Sequence, residues 1–182
     1  MTSYSKLAQL SALTLLSLAG ISASAQNAPS KIYGELGYTL LSYKEYGYKA
    51  EPGILRAVIG TEIHPNINLE GMVGVGVTDG STRISNVTVS SQVDRTWGLY
   101  VRPKVMISPE VELFGRVGYA SSKVTVSVPG YAGSGSGNSA SYGAGASFKV
   151  KQNTSVVVDY MSYYSKDGVK ATGLSLGLGF KF

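Results

Sequence analysis

Leu174-Ser-Leu-Gly-Leu-Gly-Phe-Lys-Phe182 alternates without a fault. Leu174, Leu176, Leu178, Phe180 and Phe182 form one set; Ser175, Gly177, Gly179 and Lys181 form the other. Successive side chains of an extended strand point to opposite faces. The stretch therefore carries an apolar row on one face and a small or polar row on the other. The same period of two recurs upstream. It predicts eight strands, at roughly 31–44, 53–63, 66–78, 93–108, 110–125, 140–150, 154–165 and 169–182. Most exceed the ~9–11 residues that a tilted strand needs to cross a bilayer.

The faces sort the same way elsewhere. Over 53–63, Leu55, Ala57, Ile59 and Ile63 oppose Arg56 and Glu62. Over 66–78, Ile67, Leu69, Val73, Val75 and Val77 oppose Asn68, Glu70, Gly74 and Gly76. Trp97, Leu99, Val101, Val105 and Ile107 oppose Tyr100, Arg102 and Lys104. Val111, Leu113, Val117 and Tyr119 oppose Glu112 and Arg116, and Val156, Val158 and Tyr160 oppose Asp159.

Composition agrees with closely packed strands. Charged residues are 15% of the 182, with Gly at 23 and Tyr at 13. Glycine is costly inside helices, whereas bent strands and aromatic anchors use both residue types. The chain has no cysteine, which excludes a disulfide scaffold, a thiolate metal site and a Cys nucleophile. A net charge of +5 is too mild to argue for nucleic acid.

Residues 1–25 read as a secretory signal peptide. Lys6 supplies the positive start, Leu7 to Leu18 a short apolar stretch, and Ala23-Ser24-Ala25 the small residues at a cleavage site. Residues 26–182 then form one domain.

The connections alternate in length. His64-Pro65-Asn66, Ser108-Pro109-Glu110 and Lys151-Gln152-Asn153 are tight and nearly evenly spaced. Residues 45–52, 79–92 and 126–139 are long, and Asp167-Gly168 is a short turn. Outer-membrane barrels have this asymmetry, with short periplasmic turns and longer external loops.

Alternation does not say which face is outside; a soluble ligand-binding barrel would turn the apolar set inward. Three observations favour apolar-out. Charges of both signs gather on one face: Glu35, Arg56, Glu62, Glu70, Arg102, Lys104, Glu112, Arg116 and Asp159. Inside a narrow lumen they can pair. Glycines share that face, where an eight-stranded barrel has little room. Tyr43, Tyr46, Trp97, Tyr119, Tyr142, Tyr163 and Tyr164 crowd the strand ends near the long loops, as an interfacial girdle does. The fold expected is all-β, an eight-stranded antiparallel up-and-down transmembrane barrel. Pro103 removes a ladder donor, so a bulge or a broken hydrogen bond is expected there.

The last strand carries a resemblance. Ser175, Gly177, Phe180 and the terminal Phe182 look like the C-terminal signal read by the barrel-assembly machinery. With the signal peptide and eight strands, the chain resembles the OmpA/OmpX-like, opacity-type "porin family" of small outer-membrane barrels. Asp159-Tyr160 is similar to an acidic-aromatic pair common there. The resemblance implies insertion in the bacterial outer membrane. Unlike full-length OmpA-type proteins, the sequence ends at Phe182, so no periplasmic peptidoglycan-binding domain is expected.

Candidate chemistry is sparse. His64, the one histidine, sits in a tight turn away from the long loops, so the reading is a solvated turn residue. The lumenal acids are interleaved with Arg and Lys, which suits a structural ion-pair network better than acid–base catalysis. No cofactor or metal is implied. The loop 79–92 alternates Ile84, Val87 and Val89 among Ser and Thr and can extend as a β-ribbon. The Gly/Ser run within 126–139 reads as a mobile loop.

The expected role is non-enzymatic: envelope structure or surface interaction through the external loops. A narrow ion or solute channel and an outer-membrane lipid-modifying enzyme are the alternatives. Expected partners are outer-membrane lipids, the barrel-assembly machinery and an unidentified surface ligand, without nucleic acid. The expected state is a monomer. If the apolar face meets lipid, Val75→Arg and Leu176→Arg each cost ~2–4 kcal/mol of folding free energy in bilayers. Folding yields equal to the parent's would refute the assignment.

Overall fold

The computed structural model describes residues 31–45, 48–84, 87–166 and 168–182. The expected signal peptide, Tyr46 and Asp167 lie outside the described residues. Ten strands follow one another: β1 (Ile32–Glu45), β2 (Tyr48–Ala50), β3 (Gly53–His64), β4 (Ile67–Thr78), β5 (Gly80–Ile84), β6 (Val87–Met106), β7 (Val111–Val128), β8 (Tyr131–Lys151), β9 (Thr154–Lys166) and β10 (Val169–Lys181). All pairings are antiparallel. Eight of the strands are staves in the order β10-β9-β8-β7-β6-β4-β3-β1, and β1 pairs with β10 to close the barrel. The short strands β2 and β5 are ribbon arms that pair with β1 and β6 above the staves.

Closure runs the full length of β1, from Tyr33↔Lys181 to Glu45↔Val169. It satisfies both edges that an open sheet would expose. On this seam Gly37 and Gly177 are direct partners. A Cβ on Gly177 would lie 2.6 Å from the Leu36 carbonyl oxygen, so only glycine permits that approach.

Parity decides the faces. Leu36, Leu55, Leu69, Leu99, Val117 and Leu176 are outward and exposed; Leu176 keeps 60% of its surface accessible. Glu35, Arg56, Glu70, Arg102, Arg116 and Asp159 alternate with them and are buried. Exposed apolar rows over buried charges invert a soluble barrel and match a lipid solvent.

The tight turns, the start of β1 and the end of β10 share one rim. The Phe182 amide donates to the Ile32 carbonyl at 3.2 Å, and the Lys149 amide to the Glu110 carbonyl at 2.8 Å. In the Ser108 turn the side-chain hydroxyl accepts from the Val111 amide at 3.1 Å. By the short-turn rule this rim is periplasmic.

Two expectations need correction. The segment 126–139 is not a mobile loop. β7 runs to Val128, Pro129-Gly130 turns the chain, and Tyr131–Ser139 pairs back along β7 as part of β8. Gly130 has φ +84°, the left-handed conformation that a Pro-Gly turn needs. The run looked structureless because glycine writes no periodicity; its order comes from the partner strand. At Pro103 the second of the two expected forms is found, a local break in pairing and not a bulge. The β6–β7 register is the same on both sides, Val101↔Val117 and Lys104↔Phe114, and pairing lapses only between them. The second correction concerns the girdle. Trp97, Tyr119 and Tyr142 are outward and exposed, together with Tyr38 and Tyr160. Tyr43, Tyr163 and Tyr164 instead line the lumen. Tyr43 and Tyr163 share parity with the inward Leu41 and Met161, and a bulge at Ala171/Thr172 brings Tyr164 onto the same side.

The closing register is open to a direct test in a chain without cysteines. Leu36 and Leu178 are direct partners, so Leu36→Cys/Leu178→Cys should oxidise to a disulfide in the folded protein. Leu36→Cys/Leu174→Cys, out of register, should not. Equal cross-linking of both pairs would contradict the closure.

Candidate functional site

The lumen has two zones. The periplasmic zone is an ion network built from six staves. Arg116 on β7 is fully buried and meets three carboxylates. Its Nε donates to Glu70 Oε2 at 2.5 Å, Nη1 to Asp159 Oδ2 at 2.6 Å and Nη2 to Glu35 Oε2 at 2.6 Å. Arg56 on β3 forks onto both oxygens of Asp159, at 3.0 and 2.5 Å, and donates to the Tyr163 hydroxyl at 3.0 Å. Arg102 on β6 donates to Glu35 at 3.0 Å, Glu70 at 3.2 Å and Glu112 at 2.8 Å. Tyr33 donates to Glu70 at 2.5 Å.

Phe114 gives this zone a face for its cations. The Arg102 guanidinium lies 3.8 Å from its ring centroid and that of Arg116 4.7 Å. Gly145 leaves room for the ring; a Cβ there would lie 2.6 Å from it. Lys104 and Glu62 pair at 2.7 Å nearer the periplasmic rim, where both are more exposed. The structure thus brings all nine charged residues to the inner face. Glu35, Glu70 and Asp159 are joined through Arg116; Glu112 is attached through Arg102; Glu62–Lys104 stands as its own pair.

Burial of charge on this scale is costly unless every group is paired and hydrogen-bonded. The forked arginines largely meet that condition: Arg56 and Arg102 each make three hydrogen bonds and Arg116 four, while Arg102 Nε is left without a partner and its guanidinium lies instead over the Phe114 ring. The result is a filled cross-section.

The external zone is apolar. Leu41, Ile54, Val58, Met72, Val93, Tyr100, Met161 and Tyr163 form one buried cluster, with Val124 packed against it. Above it lies a cavity of about 390 Å³. Sequence alternation missed these residues, because here the strands are apolar on both faces. Adjacent apolar pairs such as Leu40-Leu41 and Ile54-Leu55 were the available signal.

The external rim carries outward bases. Lys49, Lys44 and Lys170 are cross-strand neighbours on β2, β1 and β10. On β6 and β7, Arg95 opposes Lys123. Lys49 pairs with the exposed Glu51 at 2.6 Å, which holds the Glu51 carboxyl below its usual range. His64 is exposed at the opposite, periplasmic rim, where its Nδ1 accepts from the Asn66 amide at 3.4 Å.

A closed, lipid-facing eight-stranded barrel with a filled lumen is the design of small outer-membrane proteins. The chain matches the model of the outer membrane protein beta-barrel domain over residues 11–182 and belongs to that family. Its place is the bacterial outer membrane. Solved structures agree on the fold. The chain is similar to Ail, the attachment invasion locus protein of Yersinia pestis, with 23% identity and a TM-score of 0.64 over 85% of this chain and 100% of that one. It is similar to Neisserial surface protein A, with 14% identity and a TM-score of 0.68 over 85% and 99%. It is also similar to the N-terminal β-barrel domain of Pseudomonas aeruginosa OprF, with 14% identity and a TM-score of 0.57 over 85% and 100%. No curated protein matches it in sequence.

Removing one member of the network leaves its partners buried and unpaired. Arg116→Ala should cost ~3–5 kcal/mol, whereas Lys104→Ala, part-exposed, should cost under about 1 kcal/mol. Urea unfolding in lipid bilayers measures both. Equal, small losses would show that the network contributes nothing specific.

Proposed function

We propose that the protein is a non-enzymatic surface-interaction barrel, with the lumen as rigid support and the external rim as the contact surface. The observation that carries this reading is the position of the groups still open to partners. The lumenal charges are spent on one another, while the bases of the rim face outward. Lys44 and Lys170 stand directly opposite each other, and so do Arg95 and Lys123. Like charges in that position repel. A polyanion laid across the rim relieves the repulsion. Ail, a structural relative, has been crystallised with the heparin analogue sucrose octasulfate, which makes a sulfated polysaccharide a fitting first ligand class. The three ribbons β1–β2, β5–β6 and β7–β8 add hydrogen-bonding surface beside the bases.

Neither alternative gains support. Arg56, Arg102 and Arg116 bridge the lumen to acids on β1, β4, β7 and β9, leaving a solute no clear path. His64 lies at the rim away from the external leaflet, where a lipid-modifying enzyme would find its substrate. In this reading the protein works as a monomer in outer-membrane lipid. The barrel-assembly machinery inserts it by reading Ser175, Gly177, Phe180 and Phe182.

Cells displaying the protein should bind immobilised heparin, and Lys44→Glu/Lys170→Glu should weaken binding about tenfold. Raising salt should have the same direction of effect. Binding by the double variant equal to the parent's, at equal surface levels, would overturn the proposal.

A further inference from the structure

The external zone of the lumen differs from the network below it in every respect that governs ligand choice. Its walls are Leu41, Ile54, Val93 and Val124, and Tyr163 forms part of its floor. The floor is fixed, because the Tyr163 hydroxyl accepts from Arg56 at 3.0 Å. The cavity is therefore blind toward the periplasm. Its ~390 Å³ falls in the range of small-ligand pockets.

The polar groups of the wall do not ask for a polar guest. Thr96 and Ser122 hydrogen-bond each other at 2.9 Å, and Thr96 also donates to the Ser121 carbonyl at 3.2 Å. A ligand rich in donors and acceptors would lose its water here and find little in return. A flexible hydrocarbon loses nothing, and apolar cavities take such guests readily.

The barrel wall opens beside this cavity. Among the described residues, β8 and β9 pair from Lys151↔Thr154 up to Tyr142↔Ser162 and no further, although β8 reaches back to Tyr131 and β9 on to Lys166. The Ser141 hydroxyl donates to the Ser162 carbonyl at 2.8 Å and ends the ladder. Above that point the Tyr164 ring of β9 lies against Gly137 of β8, where a Cβ would be 2.9 Å from it, and Gly133 and Gly135 line the cavity farther along β8. Gly133 and Gly135 put no side chains in the gap beyond Tyr164. The outward Tyr142 and Tyr160 set it at the level of the external interface, within reach of the outer leaflet.

A charge stands at the mouth. Tyr164 and Ala171 are partners and both line the cavity; Lys166 and Val169 are the next pair on the same face, and Val169 lines the cavity too. Lys166 is exposed and so occupies the inner rim with its ammonium in water.

We propose that the upper lumen binds the single alkyl chain of a free fatty acid, admitted between β8 and β9, with its carboxylate toward Lys166. This site lies inside the barrel and is separate from the outward rim bases of the surface-interaction reading, so either can fail alone.

The test uses the full protein in phospholipid nanodiscs, free of detergent, with a methyl-labelled long-chain fatty acid as probe. Nuclear Overhauser contacts should join the probe to methyls of Leu41, Ile54, Val93 and Val124, and should persist when the nanodisc lipids are deuterated. Lys166→Ala should weaken apparent affinity about fivefold, and Lys166→Arg should retain it. Val124→Trp or Val93→Phe, checked for folding by heat-modifiable gel mobility, should abolish the contacts. Lys166→Ala, on an exposed rim, keeps the test available if a filling variant fails to fold. Absence of these contacts at saturating probe would overturn the proposal. Contacts that vanish on lipid deuteration would overturn it too, since the occupant would then be a bilayer lipid chain.

Discussion

The Arg116 guanidinium sits at the centre of the barrel and holds Glu70, Glu35 and Asp159 from three other strands at 2.5–2.6 Å. A membrane barrel of eight strands has a lumen only wide enough for side chains. Those side chains must fill it and satisfy one another, because so narrow a lumen leaves little room for anything else. One fully buried cation shared by three acids meets both demands. Arg56 and Arg102 extend the arrangement by sharing Asp159 and by bridging Glu35 to Glu112. The same network restricts register. A one-residue slip of any of the six staves that carry it would turn a lumenal charge toward lipid.

Much of this was legible in the sequence, because period-two alternation is a direct record of which face each residue takes. Phe180, Leu178 and Leu176 announce the lipid face of β10 as plainly as Ser175 and Gly177 announce its lumen. The inward charges could be listed, since a charge on the lipid face is too costly to keep. Their pairings could not, because the partners lie on strands far apart in sequence; Arg116 and Glu35 are separated by 81 residues.

The misreadings share a cause. Where both faces of a strand have similar chemistry, alternation falls silent. Ile54, Val58, Met72 and Val93 look like lipid-facing residues by type, and only parity with Arg56, Glu70 and Ser91 turns them inward. Tyr163 was assigned to a girdle by its position near a strand end, although it continues the lumenal row of Asp159 and Met161. The Gly/Ser run 131–139 carries no side-chain pattern at all, yet its backbone pairs residue for residue with β7. In each case the decisive information was the neighbour strand.

The two lumenal zones divide the labour of the molecule. The charged zone seals the barrel and fixes its shape. The apolar zone and the basic rim face the exterior, where contact with other molecules takes place. All of this depends on a closed barrel whose apolar face is outside. The most direct test is gel mobility of the protein from the outer-membrane fraction, with and without boiling. The account predicts a fast-running band before boiling that shifts to the full-length position afterwards. A single unshifted band from a soluble periplasmic fraction would contradict it and reverse the assignment of the two faces.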